Sequence, residues 1–334
     1  MPVTLDDVER RISVIPANDP EDNMHEDVYE GLTSDPKVLP PKYFYDERGS
    51  ELFETITNLP EYYQTRTEQS ILDRIAPEIE AKTQAMALVE YGAGSARKTR
   101  TLLNAMADFG QLRQYIPIDV SAEFLRSTAE KLSKDFPELI IQGLTGDFLH
   151  PIELPFEDEP RLIAFLGSTI GNLTDDEADE FLHLISDQMT ENHYFLLGTD
   201  LEKDVAVLER AYNDSQGITA EFNLNVLRVL NKTLSAEFDL DQFRHHAFYN
   251  RDESQIEMHL ISEQEQEVAI NDLDVIIPFE KNESIRTEIS CKYTRNRVEK
   301  LLDSAGLELT EWYTDKQDNF ALSLSRLQSS SLLS

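Results

Sequence analysis

In the stretch LVEYGAGSARKTR, Gly92 and Gly94 follow an apolar run and precede a helix-compatible basic one. Glycines at such a junction let a strand turn sharply into a helix while backbone N–H groups come close to a ligand. The next apolar run ends at Asp119 in IPIDVS, and the one after it at Asp147 and Phe148 in TGDF. A carboxylate at a strand end can accept two hydrogen bonds from a ribose diol, and an aromatic beside an acid suits an adenine. A dinucleotide site would present a fuller Gly-x-Gly-x-x-Gly, but here the third position is Arg97, too bulky for close helix-to-strand packing. The chemistry points to a nucleoside-bearing ligand other than a dinucleotide. Solvated or capping acids at strand ends remain the alternative for each aspartate taken singly.

The elements that must position these residues read as alternating strands and helices. Strands are expected at MALVEYG, QYIPIDV, LIIQGLTGDF, RLIAFLGST and YFLLGTDL, with helices ARKTRTLLNAMADF, SAEFLRSTAEKLSKDF and DDEADEFLHLISDQM between most of them. That order demands a parallel sheet with crossovers, the doubly wound α/β class, with Ser121 and Thr174 as helix N-caps. From about residue 203 the pattern breaks into the helices EKDVAVLERAYND and ITAEFNLNVLRVLNKTL. The strand-like runs FRHHAFYN, SQIEMHLISEQEQEVAI and IRTEISCKY follow, an inserted helix-plus-antiparallel-sheet unit. A helix closed by Gly306 and two further strands complete the sheet. Residues before about 30 read as polar loop, and the serine-rich end QSSSLLS as disordered. Four tyrosines, at 43, 45, 62 and 63, cluster around a helix over Glu51 to Thr57 and a Leu59-Pro60 break, either at a core edge or in a polar pocket.

The 334 residues carry 64 acidic against 30 basic side chains, a formal charge of −34, which repels nucleic acids and anionic lipid surfaces. One cysteine, Cys291, forms no internal disulfide, the N-terminus lacks the order of a secretory signal, and no run approaches the roughly 18 apolar residues of a membrane helix. A cytoplasmic monomer with no nucleic-acid or membrane partner is expected. His245, His246 and His259 lack metal-ligand spacing and a carboxylate triad, so they read as strand-surface histidines with no metal.

The trio VEYGAGS, IDVS and TGDF resembles the class I S-adenosylmethionine-dependent methyltransferases. That resemblance implies a Rossmann-like doubly wound sheet in which the glycine turn approaches the amino-acid part of the cofactor, Asp119 the ribose, and Asp147 with Phe148 the adenine. Lys98, at the helix start, is placed to help hold the cofactor's carboxylate, whereas Arg97 and Arg100 carry no assignment. Together with PKYFYDERGSELFETITNLPEYYQTRTE, FLGSTIGNLT and RTEISCKYT, the motifs resemble the histidine-specific Nα-methyltransferases that form hercynine on the way to ergothioneine, over about Pro40 to Leu327. The resemblance implies a methyltransferase core at 67–202 completed by 293–334, and a second α+β substrate-binding domain made from 1–66 and the insertion 203–292. It also implies that Asn172 and Tyr212 hold the substrate's carboxylate and amino group and that Tyr45 lies near the amine, with Tyr45 and Asn172 as the catalytic residues. Tyr62, Glu288 and Ser290 would read the imidazole and Met258 would form a pocket wall. Gly92, Gly94, Lys98, Asp119, Asp147 and Phe148 would hold the cofactor.

The imidazole assignment has its own chemistry. A neutral imidazole offers one donor and one acceptor, so Glu288 can take its N–H while a hydroxyl serves the other nitrogen. Glu288 and Ser290, two apart, share one face of a strand. Rival readings are the same chemistry on another aromatic amino acid or amine, and a non-catalytic cofactor-binding regulator on the same fold.

Overall fold

The computed structural model describes residues 11–17, 23–94, 97–155 and 159–329. In chain order the elements begin with β1 (Ile12–Pro16), α1 (Met24–Thr33), β2 (Lys37–Val38), α2 (Glu47–Ile56) and α3 (Gln64–Thr83). Then come β3 (Ala87–Tyr91), α4 (Arg97–Asp108), β4 (Gln114–Asp119), α5 (Ala122–Asp135), β5 (Ile140–Thr145), β6 (Arg161–Phe165), α6 (Asp175–Asp187) and β7 (His193–Asp200). Next are α7 (Val205–Tyr212), α8 (Ile218–Thr233), β8 (Phe243–Asn250), β9 (Gln255–Ser262), β10 (Gln266–Ile270), β11 (Val275–Phe279) and β12 (Ser284–Cys291). The last are α9 (Arg295–Ser304), β13 (Leu307–Thr314) and β14 (Phe320–Leu327). The chain divides into two compact units, one of Met1–Pro20, Thr67–Leu201 and Tyr293–Ser334, the other of Glu21–Arg66 and Glu202–Lys292.

The first unit is the expected doubly wound α/β fold. Its eight-stranded sheet runs β1-β5-β4-β3-β6-β7-β14-β13, parallel from β1 to β7 and closed by antiparallel β14 and β13. From β3 the chain winds outward through β4 and β5 on one side and, after returning, through β6 and β7 on the other, so the crevice where such sheets bind ligands opens between the carboxyl ends of β3 and β6. Every residue of β3 is buried, as a parallel strand covered on both faces requires. Ile71, Leu72, Ile75 and Ile79 of α3 and Leu102, Leu103 and Met106 of α4 cover one layer of this core with Leu88, Tyr115 and Leu162. Ser121 caps α5 by accepting from Phe124 N–H, and Thr174 caps α6 in a reciprocal box with Glu177, an arrangement worth about 1 kcal/mol.

In the second unit, β2-β12-β9-β8 form a four-stranded sheet and β10-β11 a separate hairpin. Phe222, Val226, Leu227 and Leu230 of α8 share a core with Ile256, Met258 and Leu260 of β9, Phe44 and Ile56.

Three readings of the sequence need correction. Residues 1–66 do not all belong with the insertion, because Ile12–Pro16 pairs in parallel with β5 at the edge of the large sheet. It is a five-residue, half-exposed edge strand whose short pattern resembles loop. Helix α1 also lies in the supposed loop, burying Val28 and Leu32. The run SQIEMHLISEQEQEVAI is two strands, β9 and β10, and the partner of β10 is β11, in a segment with no clear alternation. Of the supposed disordered tail, residues 330–334 lie outside the described residues, as do 1–10 and 18–22 of the N-terminal loop.

Candidate active site

In the first unit, β3 delivers Gly92 and Gly94 at φ values of +67° and +49°, left-handed backbone that glycine adopts without strain. Gly92 N–H donates to Ile118 O at 2.9 Å, tying the turn to the end of β4. A Cβ built on Gly92 would meet nothing within 4 Å, so the turn faces open space. Asp119, one residue beyond, accepts from Ser121 N–H at 3.1 Å. Burial raises its carboxyl above the ordinary range, opposed by N–H donation from Ser121, Gly94 and Val120. Asp147 follows β5 and accepts from Leu149 N–H at 3.0 Å. The Phe148 ring stands edge-on to Phe165 and Phe181, with centroids 5.3 and 5.7 Å away.

Two acids that the motifs did not single out support this edge. Glu90, an acid inside an otherwise apolar strand, accepts from Thr99 and Tyr115 hydroxyls at 2.6 Å each. Burial pushes its carboxyl up to about 7, against the opposing effects of those hydrogen bonds and the Lys98 charge. Glu68 of α3 takes the Lys98 ammonium at 2.7 Å on one oxygen and Gly167 N–H at 2.8 Å on the other. Gly167 and Ser168 (φ +58°) open a 3-10 turn, Thr169–Asn172, which ends with half-buried Asn172.

In the second unit, Tyr212 ends α7 and its hydroxyl donates to Ser290 Oγ at 2.7 Å. The ammonium of Lys292, wholly buried, donates to Ser290 Oγ at 2.8 Å and to Tyr212 Oη at 3.3 Å. Strand alternation carries Glu288, Ser290 and Lys292 at every second position, so Lys292 was within reach of the pattern that found the other two. A register shift between Arg286 and Glu288 re-phases β12. Arg286 pairs opposite His259, whereas Glu288 stands opposite buried Met258 and Ser290 opposite buried Ile256. Glu288 stays partly open, yet burial pushes its carboxyl up to about 7, with the Lys292 charge acting the other way.

Aromatic contacts link the remaining predicted residues. Tyr62 lies edge-on to Tyr212, with centroids 6.4 Å apart, and to Phe53 at 6.3 Å. Tyr45, 39% exposed, meets Phe53 at 5.6 Å and Phe222 at 5.5 Å. The second unit thus gathers Tyr62, Tyr212, Ser290 and Glu288, and Tyr45 joins them through Phe53.

His245 departs from its reading as a surface residue. Its Nε2 bonds Tyr212 O at 2.9 Å and its Nδ1 lies 2.9 Å from Asn223 Nδ2, so it fixes the end of α7 as a neutral ring, with burial lowering its pKa. Among the described residues no group of acids, histidines and cysteine is arranged to hold a metal, and no helix is long and apolar enough to cross a membrane.

The donor set around the glycine turn fits S-adenosylmethionine: carboxylates at two successive strand ends, an aromatic ring beside the second, and an ammonium at the helix start. A family described as histidine-specific methyltransferase, SAM-dependent, matches residues 24–327. The chain is 48% identical over 302 residues to a histidine N-alpha-methyltransferase of Mycolicibacterium smegmatis, covering 90% of this chain and 94% of that protein. It is 45% identical over 302 residues to the protein of the same name from Mycobacterium tuberculosis, with the same coverage. Ergothioneine biosynthesis protein 1 of Neurospora crassa is 32% identical over 297 residues, 83% of this chain but 32% of that longer protein.

Proposed function

The chain belongs to the family of histidine-specific, S-adenosylmethionine-dependent methyltransferases, and we propose that its residues divide the work as follows. The reaction is methylation of the α-amino group of L-histidine, taken through three additions to the quaternary ammonium of hercynine, a step toward ergothioneine. S-adenosylmethionine, when bound, supplies a methyl group already activated on its sulfonium. The protein's contribution is therefore alignment and exclusion of water. Gly92, Gly94, Lys98, Asp119, Asp147 and Phe148 hold the cofactor, with Asp119 on the ribose and Lys98 on the carboxylate.

On the acceptor side, Glu288 takes an imidazole N–H and the hydroxyl of Ser290 or Tyr62 serves the second nitrogen. Ser290 Oγ accepts from both Lys292 and Tyr212, which fills its lone pairs and leaves its O–H to donate, while Tyr212, its own proton given to Ser290, keeps a lone pair for the substrate's amino group. Tyr212 and Asn172 hold the carboxylate and amino group, and Met258 closes the pocket beside Glu288. Tyr45 gives the amine's departing proton a path to water, so no strong base is needed. The net charge of −34 speaks against nucleic-acid or anionic-membrane partners.

One observation carries the acceptor reading: a carboxylate, Glu288, in register with Met258 and two residues from the Ser290 hydroxyl that Tyr212 and Lys292 share. An apolar ring would leave that carboxylate unanswered, at a cost an imidazole N–H removes. Mass spectrometry of incubations with S-adenosylmethionine and each of the twenty amino acids tests it. Histidine should gain one, two and three methyl groups, and methylation of another amino acid with histidine untouched would overturn the reading.

A further inference from the structure

We infer that Glu68 is a positioning residue for methyl transfer, a clamp whose two carboxylate oxygens fix Lys98 of the cofactor helix and Gly167 of the turn that presents Asn172. The inference rests on the assignment of Lys98 to cofactor and Asn172 to substrate, and all the contacts it uses lie within the first unit.

The Glu68 side chain has no exposed surface, while Lys98 keeps 23% of its own. A carboxylate so buried needs charged or hydrogen-bonded partners to offset its lost hydration, and both oxygens have one: Lys98 Nζ at 2.7 Å and Gly167 N–H at 2.8 Å. The neighbouring strand makes room for it. A Cβ on Gly198 of β7 would stand 2.4 Å from Glu68 Oε1, a distance that side chains do not tolerate. A side chain at 198, in a strand buried at all but Tyr194, would displace that carboxylate from its place.

The clamp acts on two groups with separate duties. An ammonium has three donors, and committing one to Glu68 leaves the others in a fixed direction for a ligand carboxylate, lowering the ordering cost of binding. Beyond Gly167 the turn is held at further points: Ser168 Oγ accepts Asp200 N–H at 2.9 Å, and the Tyr293 hydroxyl donates to Ile170 O at 3.3 Å. Glu68 fixes its first residue. A displaced carboxylate would therefore release Lys98 and the entry to the Asn172 turn together, which ties cofactor affinity to acceptor placement.

Glu68→Gln keeps the shape but offers one acceptor in place of two. S-adenosylhomocysteine binding is read by calorimetry and KM for histidine at saturating S-adenosylmethionine, with circular dichroism to verify folding. The clamp predicts that the Kd rises about tenfold or more and the histidine KM at least about fivefold, a paired change that a loss of stability alone does not produce. Lys98→Met should weaken S-adenosylhomocysteine similarly, and the double variant should match the worse single one within about twofold, since both break one interaction. Gly198→Ala puts a methyl group 2.4 Å from Oε1, which moves the carboxylate, and should raise the histidine KM with every charge retained, so it carries the test if Glu68→Gln does not fold. Wild-type Kd and wild-type KM in a folded variant would overturn the clamp. The calorimetric arm needs no acceptor, so a raised Kd in a protein that fails to methylate histidine would fault the acceptor assignment and leave the clamp standing.

Discussion

At the carboxyl ends of β3, β4 and β5 the first unit offers a ligand open space over Gly92 and two strand-end carboxylates, whereas along β12 the second offers side chains packed in register. The first arrangement is a property of the doubly wound sheet and is indifferent to what receives the methyl group. The second depends on a bulge after Arg286, a buried lysine and a half-open carboxylate, features that a strand of this length does not require for its own stability. Cofactor binding can thus be common to many proteins of one fold while acceptor choice is written in a few side chains. Variants on one side should leave the other side's measurement alone.

The largest effect should come from Glu288→Ala, which is expected to cut kcat/KM for histidine roughly a hundredfold or more, since a hydrogen bond to a charged acceptor is lost and alignment suffers. Its Kd for S-adenosylhomocysteine should stay within about twofold of wild type by calorimetry. Next, Asp119→Ala should weaken S-adenosylmethionine binding by about 1.5–3 kcal/mol as the ribose acceptor disappears, measured by the same titration. Unchanged affinity in a folded protein would remove Asp119 from the ribose site.

A smaller change sharpens the electrostatics of the acceptor side. Lys292 favours the ionised form of Glu288, so Lys292→Met should raise the Glu288 pKa and move the acid limb of the kcat/KM profile for histidine to higher pH. A profile that falls in amplitude without moving would limit Lys292 to holding the two hydroxyls. The smallest effect concerns stability. Because burial raises the Glu288 pKa to about 7, from an unfolded value of about 4.3, the folded state holds its proton longer, and stability is lost as pH rises through that window. Glu288→Gln should therefore unfold a few degrees above wild type at pH 8, with the gain shrinking toward pH 5 in thermal melts. Equal melting shifts at both pH values would contradict a raised pKa.

The same contrast governs what the sequence makes legible. Gly92, Asp119 and Asp147 sit at ends of short apolar runs, so local pattern alone finds them and orders their strands. Glu288 and Ser290 follow from two-residue alternation, yet the bulge that keeps Arg286 off their face leaves no mark in composition. Lys292 continues the alternation and was legible in principle. Glu68 was not, because its partners lie 30 and 99 residues away in sequence and only the packing of α3 brings them together. Edge strand β1 and hairpin strand β11 escaped for a simpler reason: five half-exposed residues carry too little periodicity to separate strand from loop.

The division of labour is tested most directly by measuring kcat/KM for histidine and for tryptophan, alongside the Kd for S-adenosylhomocysteine, in wild type, Asp119→Ala and Glu288→Ala. Asp119→Ala should raise the Kd and leave the histidine-to-tryptophan ratio as it is in wild type. Glu288→Ala should leave the Kd and collapse the ratio, because truncation removes the imidazole's acceptor and the cost of setting a carboxylate against the largely apolar indole, which offers one N–H and no ring acceptor. A folded Glu288→Ala enzyme that keeps the wild-type preference for histidine would contradict the account.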